Sequence, residues 1–397
     1  MDSKLRIVVT GLVGLYPVGG VAWDYLQYVI GLRRLGHDVY YHEGTGAWPY
    51  QPRERARSAD GSYSASFLRA FFDRNAPDMA ERWHYFHLDQ TSYGMDMASF
   101  EAVARSADLW LNVSGASSFP IFLNPRCVKA FIDTDPGYNQ IVLSERFPWS
   151  WNVPEWSCGV ASHDRYFTYA ENIRAADCAV PKLRYDWIPT RMPIVSSLWT
   201  HIAAAPEKAP WTTVMTWNDF KGPLTYRGVR YYSKDAEFDR LIDLPRGVGG
   251  GLAFKLAIGG KYPPVMRAQV GGWETIDGPT ATLTPEDYRL FLAGSRGEIS
   301  TAKHVYVAMR TGWFSCRSAC YMAAGRPVVV QDTGFPAALP VGCGVIPFAT
   351  KEEAIAGIQA VEADYPRHAR AAREIARDYF DSDRVLSQLI DDAMRPS

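Results

Sequence analysis

The chain lacks most of the features that would assign it at a glance. Its 42 Lys and Arg are offset by 43 Asp and Glu, for a formal net charge of −1. The cations are scattered, so there is no electrostatic footprint for nucleic acid or for an anionic membrane. No run approaches 18 apolar residues, which argues against stable membrane insertion. Lys4 and Arg6 introduce only a short apolar run, broken by Gly11 and Gly14, too short for the apolar core of a signal peptide. A soluble, cytoplasmic protein is expected. The six cysteines show no paired spacing apart from Cys316 and Cys320, four residues apart, and no histidine pair completes a zinc set. They read as buried thiols, and no metal or other cofactor is expected. The glycine-rich loop after the first strand carries neither G-x-G-x-x-G nor G-x-x-x-x-G-K-[ST], so a dinucleotide fingerprint and a P-loop are absent there.

What is present is alternation. At 397 residues and 47% apolar content the chain is long enough for two domains with separate cores. Leu5 to Thr10 reads as a strand, Val21 to Leu35 as a helix and Val39 to His42 as a second strand. Strand, helix, strand is a βαβ unit, the start of a doubly wound parallel sheet. Further strands are expected over 109–113, 128–132 and 165–169, then irregular Pro-rich chain over 181–193. The stretch AAAPEKAP, residues 203–210, has the composition of a linker. Beyond it strands are expected at 211–216, 252–258, 327–330 and 345–348. Thr284-Pro285-Glu286-Asp287 opens a helix with an N-cap, a first-turn Pro and acids. Helices over 351–361, 367–379 and 382–393 follow. The fold class is α/β with two Rossmann-like domains, residues 1–202 and 211–375, and a last segment, 376–397.

The stretch 301–335, TAKHVYVAMRTGWFSCRSACYMAAGRPVVVQDTGF, organises the second half. A helix opens near Ser315, ends at Gly325 and feeds the strand from Pro327 to Val330, after which comes the turn Gln331-Asp332-Thr333-Gly334. A loop-helix-strand arrangement of this kind gathers free backbone N–H groups and helix dipole in one crevice, which suits a phosphate. Arg310 and Arg317 flank the helix start, so the expected guest is a diphosphate. Trp217-Asn218 faces the same crevice by topology. Trp273, after Gly271-Gly272, is either a stacking ring or half-buried packing.

The segment ACYMAAGRPVV resembles the L-E-A-M-A-A-G-x-P-V-V stretch of GT-B glycosyltransferases, whose two facing Rossmann-like domains hold a nucleotide-sugar in the C-terminal one. The resemblance implies transfer of a sugar from a nucleoside diphosphate to an unidentified acceptor, without metal. It makes residues 1–202 the acceptor domain, 211–375 the donor domain and the last helix a return onto the first. Donor contacts are then expected from Gly19, Gly20, Trp217, Asn218, Trp273, Lys303, Arg310, Ser315, Cys316, Arg317, Asp332, Thr333 and Gly334. One departure stands out: where the retaining branch has two glutamates framing the helix, this chain has Gly312 and Cys320. For the base, Asp135 and Asp133 at a strand end lead, with Glu171 and the His42-Glu43 pair behind them. Alternatives are a nucleotide-sugar epimerase, a non-catalytic binder, and a D-x-D phosphohydrolase built on Asp133 and Asp135.

Overall fold

The structure is a computed structural model that describes residues 4–115, 117–145, 159–217 and 223–396. Eight strands form the first sheet: β1 (Arg6–Thr10), β2 (Asp38–Glu43), β3 (Trp83–Phe86), β4 (Ser92–Gly94), β5 (Leu109–Val113), β6 (Val128–Asp133), β7 (Arg165–Thr168) and β8 (Trp187–Pro189). Their order is β8-β7-β6-β5-β1-β2-β3-β4, and every pair is parallel except β3 with β4. Six strands form the second: β9 (Trp211–Thr216), β10 (Phe254–Gly259), β11 (Glu274–Asp277), β12 (Gly297–Ser300), β13 (Val328–Gln331) and β14 (Val345–Phe348). All pairs in the order β11-β10-β9-β12-β13-β14 are parallel.

The central strands are continuous apolar runs because both of their faces are covered. β1 is RIVVT and β13 is VVVQ, buried along nearly their whole length. That is the pattern of a parallel sheet between helix layers. In each sheet the order reverses beside the first strand, between β1 and β5 and between β9 and β12. The carboxyl ends of strands at such a reversal are where open α/β sheets hold ligands.

Five helices matter below: α1 (Gly19–Arg34), α2 (Pro285–Ala293), α3 (Cys316–Ala323), α4 (Tyr365–Phe380) and α5 (Ser382–Met394). The capping signature at Thr284 forms as a reciprocal capping box with Asp287. Helix α5 shares a hydrophobic core with α1, and the chain between them is pinned by Ile194 N–H to Phe380 C=O (2.7 Å) and Ser382 N–H to Ile194 C=O (2.8 Å).

Besides the short hairpin strand β4, three strands were not legible. β8 lies within the Pro-rich stretch, β11 follows Trp273 directly, and β12 precedes the organising stretch. Each is short, three or four residues, and is held by neighbours distant in sequence.

Candidate active site

Helix α3 begins beside the reversal of the second sheet. Its N-cap, Ser315, is extended (φ −82°, ψ 135°) and its hydroxyl caps no amide of the helix. The first-turn N–H groups of α3 are therefore left for a ligand or water. Arg317, in that first turn, turns back across the reversal. Its Nη1 donates to the Val214 carbonyl at 2.6 Å, its Nε to Glu298 Oε1 at 2.5 Å and its Nη2 to the Ser300 hydroxyl. The guanidinium thus bridges β9 and β12, and the fork keeps further N–H groups for a guest. Glu298 is fully buried, with one oxygen lacking a partner, so Arg317 is what compensates its charge. The crevice among Ser300, Ser315, Arg317, Gln331 and Thr333 has a volume of about 20 Å³, enough for about one water.

Across from α3 stands Asp24, the single acidic residue of α1. The residue keeps an exposed surface, while its carboxyl is crowded by protein groups and bonds the Cys316 thiol. Loss of hydration among the surrounding groups raises its carboxyl to about 6, while the Cys316 bond and the charges of Arg317 and Lys234 pull the other way. The Cys316 thiol is itself pushed well above its usual range, by its bond to Cys320 and then by burial, so it serves as a donor and not as a thiolate. Asp24 was missed in the sequence. The available signal was a lone carboxylate among the apolar residues of the first turns of α1, four residues past the glycine pair.

The expected donor residues separate into groups. Ser315, Cys316 and Arg317 meet at the start of α3. Asp332 lies nearby, with Oδ1 accepting the Gly334 N–H at 2.6 Å. Thr333 donates to the Trp313 carbonyl at 2.6 Å. Gly334, at φ +95°, presents its carbonyl to Asn172 Nδ2 at 2.9 Å. That asparagine comes from the first domain and fills the space beside both Gly334 and Gly312, where a Cβ would come within 2.4 Å and 2.8 Å of it. The glycine at the first glutamate position is thus the room Asn172 needs, and Cys320 at the second is buried against α1.

Other expectations are corrected by their surroundings. Gly19 does not offer its backbone to a diphosphate: a Cβ on it would lie 2.2 Å from the Thr284 carbonyl oxygen, and its N–H already donates to Thr282 C=O at 2.9 Å, whereas Gly20 is partly exposed and a Cβ there would meet only the Tyr288 ring at 3.3 Å. They let α1 seat on the second domain. Trp273 has no face for a base: it is 2% exposed, packs against Phe238 and Phe254, and donates to the Ile242 carbonyl. Trp217 packs edge-on to Phe238 and is partly open, while Asn218 lies outside the described residues. Arg310 is drawn away to Asp177 at 2.7 Å, and Lys303 to Asp135 at 2.6 Å.

The expected bases fare likewise. Asp133 is fully buried and accepts from Asn139, Gln140, Thr168 and the Asp135 N–H, its carboxyl pushed up to about 6 by desolvation. Every bonding direction is taken, which also removes the nucleophile that the phosphohydrolase reading requires. Asp135 is gripped by Lys303 and the Tyr306 hydroxyl of the second domain. Glu171 forms a two-point ion pair with Arg191 at 2.5 Å. Glu43 is buried and holds the loop after β1 through the Gly14 and Leu15 N–H groups, both at 2.6 Å. His42 lies on the face of the first sheet away from Glu43, stacked on Phe100 and lining a cavity of about 640 Å³ with His84 and His163. Among the described residues no group of three or more His, Cys, Asp and Glu could hold a metal ion, and no helix is long and apolar enough to cross a membrane.

Neither a protein-family model nor a curated protein sequence matches the chain. Solved structures do. An alpha-glucosyltransferase in complex with UDP-glucose and DNA containing an abasic site is 12% identical, with 99% of this chain and 100% of that one covered and a TM-score of 0.62. HepE from Anabaena, in complex with UDP and glucose, is 13% identical over 98% of this chain and 99% of its own, with a TM-score of 0.56. AviGT4, a glycosyltransferase involved in avilamycin A biosynthesis, is 13% identical over 99% and 98%, with a TM-score of 0.52. The likeness runs the length of both chains and fixes the architecture.

Proposed function

From the GT-B fold, two Rossmann-like domains facing across a cleft, we propose that this protein is a glycosyltransferase that moves a sugar of the hexosyl class from a nucleoside diphosphate to an acceptor hydroxyl. One observation carries the reading: the uncapped start of α3, with Arg317 locked across the strand reversal, faces the Asp24 carboxylate of the other domain. The amides and guanidinium have the charge and geometry to bind a leaving diphosphate. Asp24, ionised above pH about 6, has the basicity to take the acceptor proton near neutrality. Asp332, with one oxygen not engaged by Gly334, is assigned to the sugar hydroxyls. The remaining N–H groups of Arg317 and the uncapped amides of α3 offer the leaving diphosphate contacts of the kind a metal otherwise supplies, which supports transfer without one. The solved relatives that carry UDP or UDP-glucose support the donor class.

The test is a thermal-shift and calorimetric screen of UDP, GDP, ADP and their glucose conjugates. A true donor product stabilises the fold by about 2.7 kcal/mol at a hundredfold excess over Kd. The proposal fails if none of these ligands shifts the transition and none of the conjugates releases its nucleoside diphosphate in the presence of candidate acceptors. Release that persists in EDTA supports the metal-free form, and release abolished by EDTA overturns it.

A further inference from the structure

At the opposite end of α3 from the cleft lies a cavity of about 870 Å³, walled by residues 202–205 of the connector, the Ala323–Arg326 turn and the outer face of α4. Its walls are mainly apolar: Ile202, three connector alanines and Ala369. Its charge is not. Arg326, Arg370, Arg373 and Arg377 all line it, against the carboxylate of Glu374, and among the described residues only Arg377 of these has an acid partner, Asp378 at 2.9 Å.

Arg326 is 1% exposed, yet no carboxylate pairs with it among the described residues. It is held by carbonyls alone: Ala324 at 3.0 Å, Ala203 at 2.9 Å and Ala293 at 2.5 Å. Arg373 bonds the Ile202 carbonyl at 2.9 Å and Ala324 more loosely at 3.4 Å. The Nε of both arginines is buried without an acceptor. Carbonyl dipoles satisfy N–H groups but do not neutralise net charge, and a buried cation without a counter-ion is costly. Burial pulls the Arg326 guanidinium below its usual range, and the Arg373 charge adds to that despite the opposing influence of Tyr365. Arg370, on the exposed side of α4, has no acid partner among the described residues, so the rim is cationic as well.

The Ala324 carbonyl receives both Arg326 and Arg373, and each guanidinium still holds N–H groups that no oxygen of the protein takes. Guanidinium groups lining a mainly apolar cavity can receive a phosphate on one side and a carbon body on the other.

We propose that this cavity is a second anion site, distinct from the cleft, that takes a phosphate-bearing organic molecule with its phosphate between Arg373 and Arg370 and its apolar body on the connector alanines. Phosphate of this kind reaches a protein either in a free phosphoester or in a phospholipid headgroup, and the experiment separates the two.

The full-length protein is titrated calorimetrically with phenyl phosphate, pyrophosphate and inorganic phosphate, with and without saturating UDP, and in flotation with vesicles of phosphatidylglycerol or of phosphatidylcholine. The expected result is saturable phenyl phosphate binding that UDP does not displace. Kd should rise at least tenfold in Arg370→Glu, an exposed position that leaves the fold alone, and in Arg370→Gln/Arg373→Gln, whose folding is checked by its melting transition. Arginine-dependent capture by phosphatidylglycerol vesicles, with no phenyl phosphate binding, assigns the phosphate to a headgroup. The site is overturned if no probe binds the wild type, if Arg370→Glu and the double variant bind as the wild type does, or if UDP displaces the ligand competitively. Because the arginine variants leave Ser315, Arg317 and Asp24 intact, the donor screen can fail while this site stands, and the reverse.

Discussion

Two helix starts meet near the cleft, and they solve the problem of unpaired amides in opposite ways. At α1 the glycine pair brings the backbone against the second domain, where Gly19 N–H finds the Thr282 carbonyl. At α3 the preceding residue is a serine, the residue type best suited to cap the turn, yet it makes no cap. At α1 the leading amide is consumed by packing between domains, whereas at α3 no described residue of the other domain takes a first-turn amide. The comparison shows that a helix N-terminus is a binding site only where the tertiary structure declines to fill it.

The largest effect is expected at the open end. Arg317→Ala removes the compensation of the buried Glu298 carboxylate and is expected to cost about 3–5 kcal/mol of stability as well as donor affinity. Pairing Arg317→Met with Glu298→Gln separates the two losses. Melting should recover in the double variant and UDP affinity, by calorimetry, should not; recovery of both would show that Arg317 is purely structural.

Asp24→Asn comes next. Removing a general base is expected to slow turnover about 10²–10⁴-fold with UDP affinity nearly kept. The wild-type rate should climb through pH about 6, as the carboxyl loses its proton, and that climb should vanish in the variant. The stability sign is the reverse of the rate sign. Because folding raises this carboxyl from 3.8 to about 6, its contribution to stability is complete below about 4 and is lost as pH rises through about 6. Melting curves of Asp24→Asn should be flatter across that window; an unchanged slope would place the shift elsewhere.

At the closed end the effects are smaller and graded. Gly19→Ala forces a Cβ to 2.2 Å from a backbone oxygen and is expected to cost about 1–3 kcal/mol. Gly20→Ala meets only the Tyr288 ring at 3.3 Å, and the better helix propensity of alanine, up to about 1 kcal/mol, offsets that contact. Equal melting temperatures for the two variants would remove the distinction between the helix starts.

The fold was largely readable because its information is local and periodic. β-branched runs such as RIVVT and VVVQ, each ended by a loop, announce buried parallel strands, and the Thr284 capping box marks a helix start from four residues. Strand β12 was not readable: GEIS contains an acid and a glycine, and it is a strand because it pairs in parallel with β9 and β13, both distant in sequence. Half of the clamp, Ser315 to Arg317, was visible as a loop-to-helix junction. Its carboxylate partner and the facing Asp24 were not, since both depend on elements some 20 to 290 residues away.

Composition, hydrophobic period and the placement of glycine and proline were enough to determine an α/β chain with two parallel sheets and a helix opening near residue 315. Those signals act over a turn or a strand, within reach of neighbouring side chains. Which acids are free and which are bound was decided only by tertiary contacts: across the domains Lys303 and Tyr306 took Asp135, and within the first domain Arg191 took Glu171 and the interior took Asp133. A carboxylate has the same formula in a core, in an ion pair and in a cleft. Its chemistry comes from water and counter-charges, which chain-distant elements supply.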